Sequence, residues 1–412
     1  KVKPGISPLI FTDFLLNSTT FLDLSDMSKY LPKLKEIVCT IDPETTLDHD
    51  IVTEYRRVTD VLKQCLHDTA LGGKTLLSTM LQFSLSYADK PYNAGDICSP
   101  VTGDVITEPE SFDVCKDITS PDNLLAKERK LIALVNQELA EGRNCFVYAE
   151  YTGSPNTCVT YRLKEILEKY CHLKGQVAIL ESNSTKAADR EKWMHKQAEK
   201  GIRVFITNPR CVETGLDFCF TEGGKEYNYP TIIFYQLGYS LFTIWQASRR
   251  SYRLNQRKEC RVYYMALNQT IQPDVIEMIA EKQSATSAIQ GKFSTEGLAA
   301  MANGMDARMK LAQSLSKMDT TSGNDLQNMF DVLHADDADD SYSEFQRMRL
   351  FDELTGLTET SDAISFDDAK MQELHDLFDM DMFDFANINN ADDEADSMIE
   401  EEVTLESCTT KR

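Results

Sequence analysis

Five short apolar runs, interleaved with helical patterns, constrain the fold of this chain more than anything else in its sequence. They are Asn144–Tyr148 (NCFVY), Gln176–Leu180 (QVAIL), Arg203–Thr207 (RVFIT), Thr231–Tyr235 (TIIFY) and Cys260–Met265 (CRVYYM). Each is rich in β-branched and aromatic residues and too short for a helix, so each reads as a buried strand. Between them, Asn156–Cys171, Ala187–Lys200 (closed by Gly201) and Leu241–Tyr252 carry helical patterns. This alternation predicts a mostly parallel sheet with helices on both faces. Ligands of such sheets sit beyond the carboxyl ends of the strands, so the loops after Tyr148, Thr207 and Tyr235 should converge on a site.

The segment QASRRSYRLNQ, Gln246 to Gln256, marks what that site handles. Leu241–Tyr252 holds no Gly or Pro, and on a helix Gln246, Arg250 and Arg253 fall at i, i+4 and i+7, on one face. Between Leu237 and Lys258 there are five cations and no acid. Guanidiniums without local acidic partners suit a phosphate group, which they clamp by charge and paired hydrogen bonds. The bland alternative is a basic helix face that packs on acids elsewhere.

The segment resembles motif VI of superfamily 2 helicases in its chromatin-remodeller-like (Swi/Snf) form, Q-A-x-D-R-x-H-R-I-G-Q. Arg250 and Arg253 match the two arginines, and Gln246 and Gln256 the flanking glutamines. Arg249 replaces the acid, Tyr252 the histidine and Asn255 the glycine. A related branch found in phages and integrative elements is closer than the remodellers proper. The loop TNPRCVETGLDF, Thr207 to Phe218, resembles motif V. That resemblance puts Asn208 or Thr214 near a nucleic-acid phosphate, and Gly215 and Asp217 near the ATP ribose. Glycine allows close backbone approach, a carboxylate accepts ribose hydroxyls, and Asn or Thr donates to phosphate. Alone, a Gly-Leu-Asp is as well explained by a loop glycine and a capping acid. Tyr151 and Thr152 match motif IV loosely, with Thr152 a candidate nucleic-acid contact. Arg190 matches an arginine of the helix after motif IVa, although a solvated helix residue is the simpler reading.

A helicase motor also needs a phosphate-cradling GxxxxGK[ST] loop and an acidic Mg²⁺-binding pair. His67–Thr75 (HDTALGGKT) has Asp68 at the first required glycine and follows a helical pattern instead of a strand. Asp393-Glu394-Ala395-Asp396 spells DEAD, but within an acidic stretch that follows motif VI. Neither is taken as the missing element. The first residue is Lys, and Ser7–Leu34 resembles the segment after motif III. The resemblance therefore implies the back half of a motor. ATP would be its cofactor, with Mg²⁺ ligands in a first RecA-like domain on the same or a separate chain; no metal site is assigned to these residues.

The net charge of −23 is unevenly spread: −21 falls after residue 320, so residues 1–320 carry only −2. A nearly neutral body with a local basic cluster is compatible with nucleic-acid binding, DNA in the first instance. The 11 cysteines form no C-x-x-C, and no apolar run is long enough to span a membrane, which fits reduced thiols in a cytoplasmic or nucleoid-associated protein. Four regions follow. Residues 1–120 hold the post-motif III segment and a helical insertion (Val52–His67, Lys74–Tyr87). Residues 121–270 form an α/β, RecA-like helicase C-terminal domain. Residues 271–318 supply bracing helices, Pro273–Gln290 and Thr295–Ser316, and 319–412 an acidic tail whose composition predicts disorder. Within the tail, Glu373–Ile388 mixes Phe, Leu and Met with Asp; it reads equally as a segment recognised by a protein partner or as a solubiliser. The expected function is the C-terminal half of an ATP-dependent helicase or translocase. The competing class is a nucleic-acid- or protein-binding module that keeps the fold without turnover, and an upstream GxxxxGK[ST] with DE-x-[HQD] would separate the two.

Overall fold

The computed structural model describes residues 31–66, 76–212, 216–238, 240–253 and 256–289. The acidic tail, the helix expected at Thr295–Ser316, the segment Ser7–Tyr30, the Gly-Gly-Lys-Thr run, Thr214 and Gly215 lie outside these residues.

Six parallel strands form the central sheet. In chain order the large sheet contains β1 (Leu34–Ile41), β4 (Cys145–Tyr148), β5 (Val177–Leu180), β6 (Val204–Thr207), β9 (Thr231–Phe234) and β10 (Cys260–Leu267). Their spatial order is β1-β10-β9-β4-β6-β5. Two antiparallel hairpins stand apart from it, β2 (Ile97–Cys98) with β3 (Val105–Thr107) and β7 (Cys219–Glu222) with β8 (Lys225–Asn228). Every residue of β4, β6 and β9 is buried. This is why those runs are apolar throughout: a parallel strand covered on both faces has no solvated side to alternate with.

Successive side chains of a strand point to opposite faces, and the two faces hold separate cores. Cys145, Val147, Val204, Ile206 and Ile233 pack with Leu131, Val135, Leu163 and Leu167, from α3 (Ala126–Ala140) and α4 (Thr160–Tyr170). Phe146, Tyr148, Phe205, Ile232 and Phe234 pack with helices on the other side. Those helices are α2 (Leu76–Ser86), α5 (Arg190–Glu199), α6 (Leu241–Ser248) and α7 (Gln272–Ile289). Helix α1 (Thr46–Cys65) contributes Val52 to the first core and Val58 and Leu62 to the second. Its start is fixed by a capping box: Thr45 Oγ1 accepts from Asp48 N–H, and Asp48 accepts from Thr45 N–H at 2.9 Å.

The sheet thus extends further back than expected. Strand β1 pairs with β10 along its whole length, from Leu34↔Cys260 to Ile41↔Leu267. Residue 121 is therefore not where the sheet begins, and the helical insertion, α1 to β3, lies between its first two strands in the chain. The connection after β4 carries α4 to one face, whereas that after β9 carries α6 to the other. Adjacent strands whose connections diverge in this way open a crevice at their carboxyl ends.

Candidate functional site

The three loops expected to converge do so at that crevice. Tyr148 O accepts from both Tyr235 N and Gln236 N, at 3.0 and 3.2 Å, and Ala149 N donates to Thr207 O at 3.0 Å. Beyond the strands, Asn208 Nδ2 donates to Glu150 O at 2.6 Å, and Asn208 Oδ1 accepts from Arg210 N at 2.8 Å. Gln236 Oε1 accepts from Tyr151 N at 3.3 Å. Glu150 lies against Gly238: a Cβ on that glycine would stand 2.6 Å from Glu150 Cδ. Thr152 is half-buried in the same loop. The amide of Asn208, proposed from sequence as a nucleic-acid contact, is engaged in joining two loops.

The arginine run differs from its expected geometry. Helix α6 ends at Ser248, four residues before the expected end, and Arg249 is its C-cap. Arg250 N donates to Ala247 O, and Tyr252 N to Arg249 O, so the chain turns away from the helix axis here. Gln246, Arg250 and Arg253 therefore do not line one helical face. Three further bonds pin the turn. Ser251 Oγ donates to Tyr229 O at 2.8 Å, and Gln256 and Asn228 exchange reciprocal amide bonds of 2.7 and 2.8 Å. Gln246 stays half-buried on α6, while Arg250 is buried, with 8% of its surface exposed. Burial pushes the Tyr148 phenol well above its ordinary range, and the Arg250 charge close by pulls it partly back.

The run also has acidic partners after all, contributed by remote segments. Arg253 Nε lies 3.5 Å from Asp217 Oδ1, with both side chains about half exposed, so the two sequence motifs meet here. Arg249 Nη1 lies 3.3 Å from Glu36 Oε2 on β1. Burial works against the Arg249 charge, but Glu36 outweighs it and holds the guanidinium above its ordinary pKa. Arg190, read from sequence as solvated, is half-buried instead. Its Nη1 donates to Cys211 O at 3.0 Å and its Nε to Thr185 O, bracing the loop that leads to Asp217.

Glu36, Glu150, Gln236 and Gly238 were missed in sequence because no spacing rule links them to the arginines. The one available signal was the acid missing at Arg249, which called for an acid somewhere else. The arginine run does not lie at the crevice of the three loops: Ser251 bonds to Tyr229 and Cys260, where β9 and β10 begin, and what the run offers there is an accessible guanidinium with a carboxylate beside it. Among the described residues no group of three or more His, Cys, Asp or Glu could hold a metal ion.

No family model matches the chain. Helicase SWR1 of Debaryomyces hansenii is 20% identical over 270 residues, covering 63% of this chain and 15% of that protein. Chromatin-remodeling ATPase INO80 of Saccharomyces cerevisiae is 24% identical over 200 residues, covering 47% of this chain and 12% of that protein. Among solved structures, the C-terminal part of the Fun30 ATPase domain is 12% identical, covering 74% of this chain and 99% of that one, with a TM-score of 0.41. The chain spans no more than 15% of the length of the two curated relatives named here. The mostly parallel six-stranded sheet agrees with the expected RecA-like class.

Proposed function

We propose that this chain is the C-terminal motor half of an ATP-dependent helicase or translocase acting on DNA. The observation that carries the reading is the meeting of Asp217 and Arg253, from the two loops that resemble motifs V and VI. ATP would be held between this domain and a first RecA-like domain, on the same or a separate chain, which would supply the phosphate loop and the Mg²⁺ ligands. Arg250 and Arg253 would face the γ-phosphate, where fixed cations stabilise charge that develops in the transition state. Gly215 and Asp217 would serve the ribose, with Gln246 beside the nucleotide. Thr152, Thr214 and Asn208 would lie toward the nucleic-acid backbone. Arg253 is accessible as it stands, whereas Arg250 is buried and also supports the turn. A DNA substrate is favoured by the neutral body with its basic cluster and by the chromatin-remodelling name of one relative. The setting proposed with this reading is cytoplasmic or nucleoid-associated, where thiols stay reduced.

Two measurements test this. In the complete motor, Arg253→Ala and Arg250→Ala are each expected to lower kcat by at least about tenfold while KM for ATP changes little. A folded variant with full turnover would remove that arginine from the site. The purified 412-residue chain is expected not to hydrolyse ATP. DNA-stimulated hydrolysis by it, abolished in Lys74→Ala, would overturn both the half-site reading and the dismissal of the Gly-Gly-Lys-Thr run.

A further inference from the structure

Helix geometry does not orient the arginine run, because α6 stops at Ser248 and Arg249 to Arg253 follow in turns. What orients it is whatever pins the residues next to Arg250 and Arg253. Ser251 is tied to Tyr229 O, and Arg249 to Glu36. The second tie is the unusual one. Glu36 sits on β1, at the edge of the sheet, and its carboxylate is shut off from solvent. One of its oxygens accepts from Tyr264 Oη on β10 at 2.6 Å, and the other faces both terminal nitrogens of Arg249 at 3.3 Å. Tyr264 is in turn held by stacking on Phe234 of β9, 5.1 Å between ring centroids. The carboxylate is therefore aimed by two neighbouring strands before Arg249 meets it, as an anchor on rigid elements should be. A buried carboxylate is costly unless a cation answers it, so Arg249 is held where its neighbour needs it.

We infer that Glu36 is a positioning residue for the arginine run: through Arg249 it sets where Arg250 and Arg253 stand. The sequence bears this out in one respect. The pattern that the run resembles carries an acid at the position of Arg249; here that position is basic and the acid stands opposite it on β1. The strand that supplies Glu36 thereby becomes part of the site's architecture although it touches no reacting group.

This inference rests on the proposed motor function, and the experiment separates the two. In the complete motor, Glu36→Gln keeps the shape of the side chain and its contact with Tyr264 but removes the charge. Assayed well below its melting temperature, it is expected to lower kcat about tenfold while leaving KM for ATP within about twofold. Arg249→Met should do the same. The exchange Glu36→Lys with Arg249→Glu should recover kcat to within about threefold, whereas Glu36→Lys alone should not. A purely structural pair would lower the melting temperature and leave kcat unchanged in the folded protein, and that result would overturn the inference. If the exchanged protein does not fold, Glu36→Gln alone decides. Absence of ATP turnover in the unsubstituted complete motor removes the motor reading itself. Turnover lost in Arg253→Ala but intact in Glu36→Gln removes only the role of Glu36.

Discussion

Lys127 Nζ lies 2.8 Å from Asp89 Oδ1, and both side chains are sealed from solvent. The pair joins the turn after α2 to the first turn of α3. Gln272, at the start of α7, accepts from Lys127 at 3.0 Å and donates to Asp89 at 3.3 Å, and its Oε1 also accepts from Leu267 N. Lys127 stands over the Tyr235 ring, 4.8 Å from its centroid. The insertion is thereby locked to the ends of β9 and β10. Removing one partner of such a pair leaves an uncompensated buried charge, so Lys127→Met is expected to destabilise the protein by about 3–5 kcal/mol. Replacing both, Asp89→Leu with Lys127→Met, should recover most of the loss. Urea denaturation of the three proteins checks this; a double variant as unstable as the single one would show that the pair is needed for more than mutual neutralisation.

Gly238 leaves room for Glu150 that no other residue would leave. Gly238→Ala puts a methyl group 2.6 Å from Glu150 Cδ and 2.9 Å from its Cγ, so the carboxylate has to swing aside. Because it ends a flexible side chain, the expected cost is only about 1 kcal/mol. In a Glu150→Ala background the same change should cost nothing measurable. Equal losses in both backgrounds would place the obstruction elsewhere.

Stability should fall with rising pH on account of Asp274, in the first turn of α7. Burial, with Glu277 nearby, pushes its pKa up from 3.8 to about 7. The folded state then holds a proton between pH 4 and 7 that the unfolded state has released, so stability present at pH 4 is lost as pH rises toward 7. Asp274→Asn is expected to be more stable than the parent by about 1–2 kcal/mol at pH 8, after allowance for solvent screening, with the difference vanishing near pH 4. Melting curves at the two pH values decide it, and a pH-independent difference would rule out titration of Asp274 as the cause.

The charge asymmetry leads to a prediction about the tail. Residues after 320 carry −21, and a tethered acidic segment competes for a basic surface at high effective concentration. A chain ending at Ser316 is expected to bind duplex DNA more tightly than the full chain, compared at one low ionic strength because salt weakens both contacts. Equal affinities would turn attention to Phe378, Phe383 and Phe385 as contacts for a protein partner.

The strands β4, β5, β6, β9 and β10 were legible from sequence within two residues because nearly all of their residues are buried, so they read as short, largely apolar runs. Strand β1 was not. Its LKEIVCTI carries Lys35 and Glu36, and at the edge of the sheet only part of it is buried. Half of its signal, the charge at position 36, is explained only by an arginine more than two hundred residues later. The β7–β8 hairpin escaped notice because Phe220, Glu222, Lys225 and Tyr227 mix polar and aromatic residues in strands of four. For the arginine run, the composition was read correctly and the geometry was not: absence of Gly and Pro permits a helix through Tyr252 but does not require one. Bonds from Ser251 to Tyr229 and from Arg249 to Glu36 stop it at Ser248, and tertiary contacts of that kind leave no local trace.

The parallel pairing of β1 with β10 has a consequence for how the protein is made. Its partners, Leu34 and Cys260 at one end, are about 220 residues apart, so at ordinary synthesis rates β1 emerges roughly 10–45 s before the strand that covers it. Throughout that interval Glu36 lacks Tyr264, and the inward face of β1 (Cys39 and Ile41 among its residues) has no β10 beside it. The strand nearest the beginning of the sheet is thus the last to be completed. A ribosome-bound chain halted before residue 260 should present β1 as an open edge, available to a chaperone or to another copy of itself.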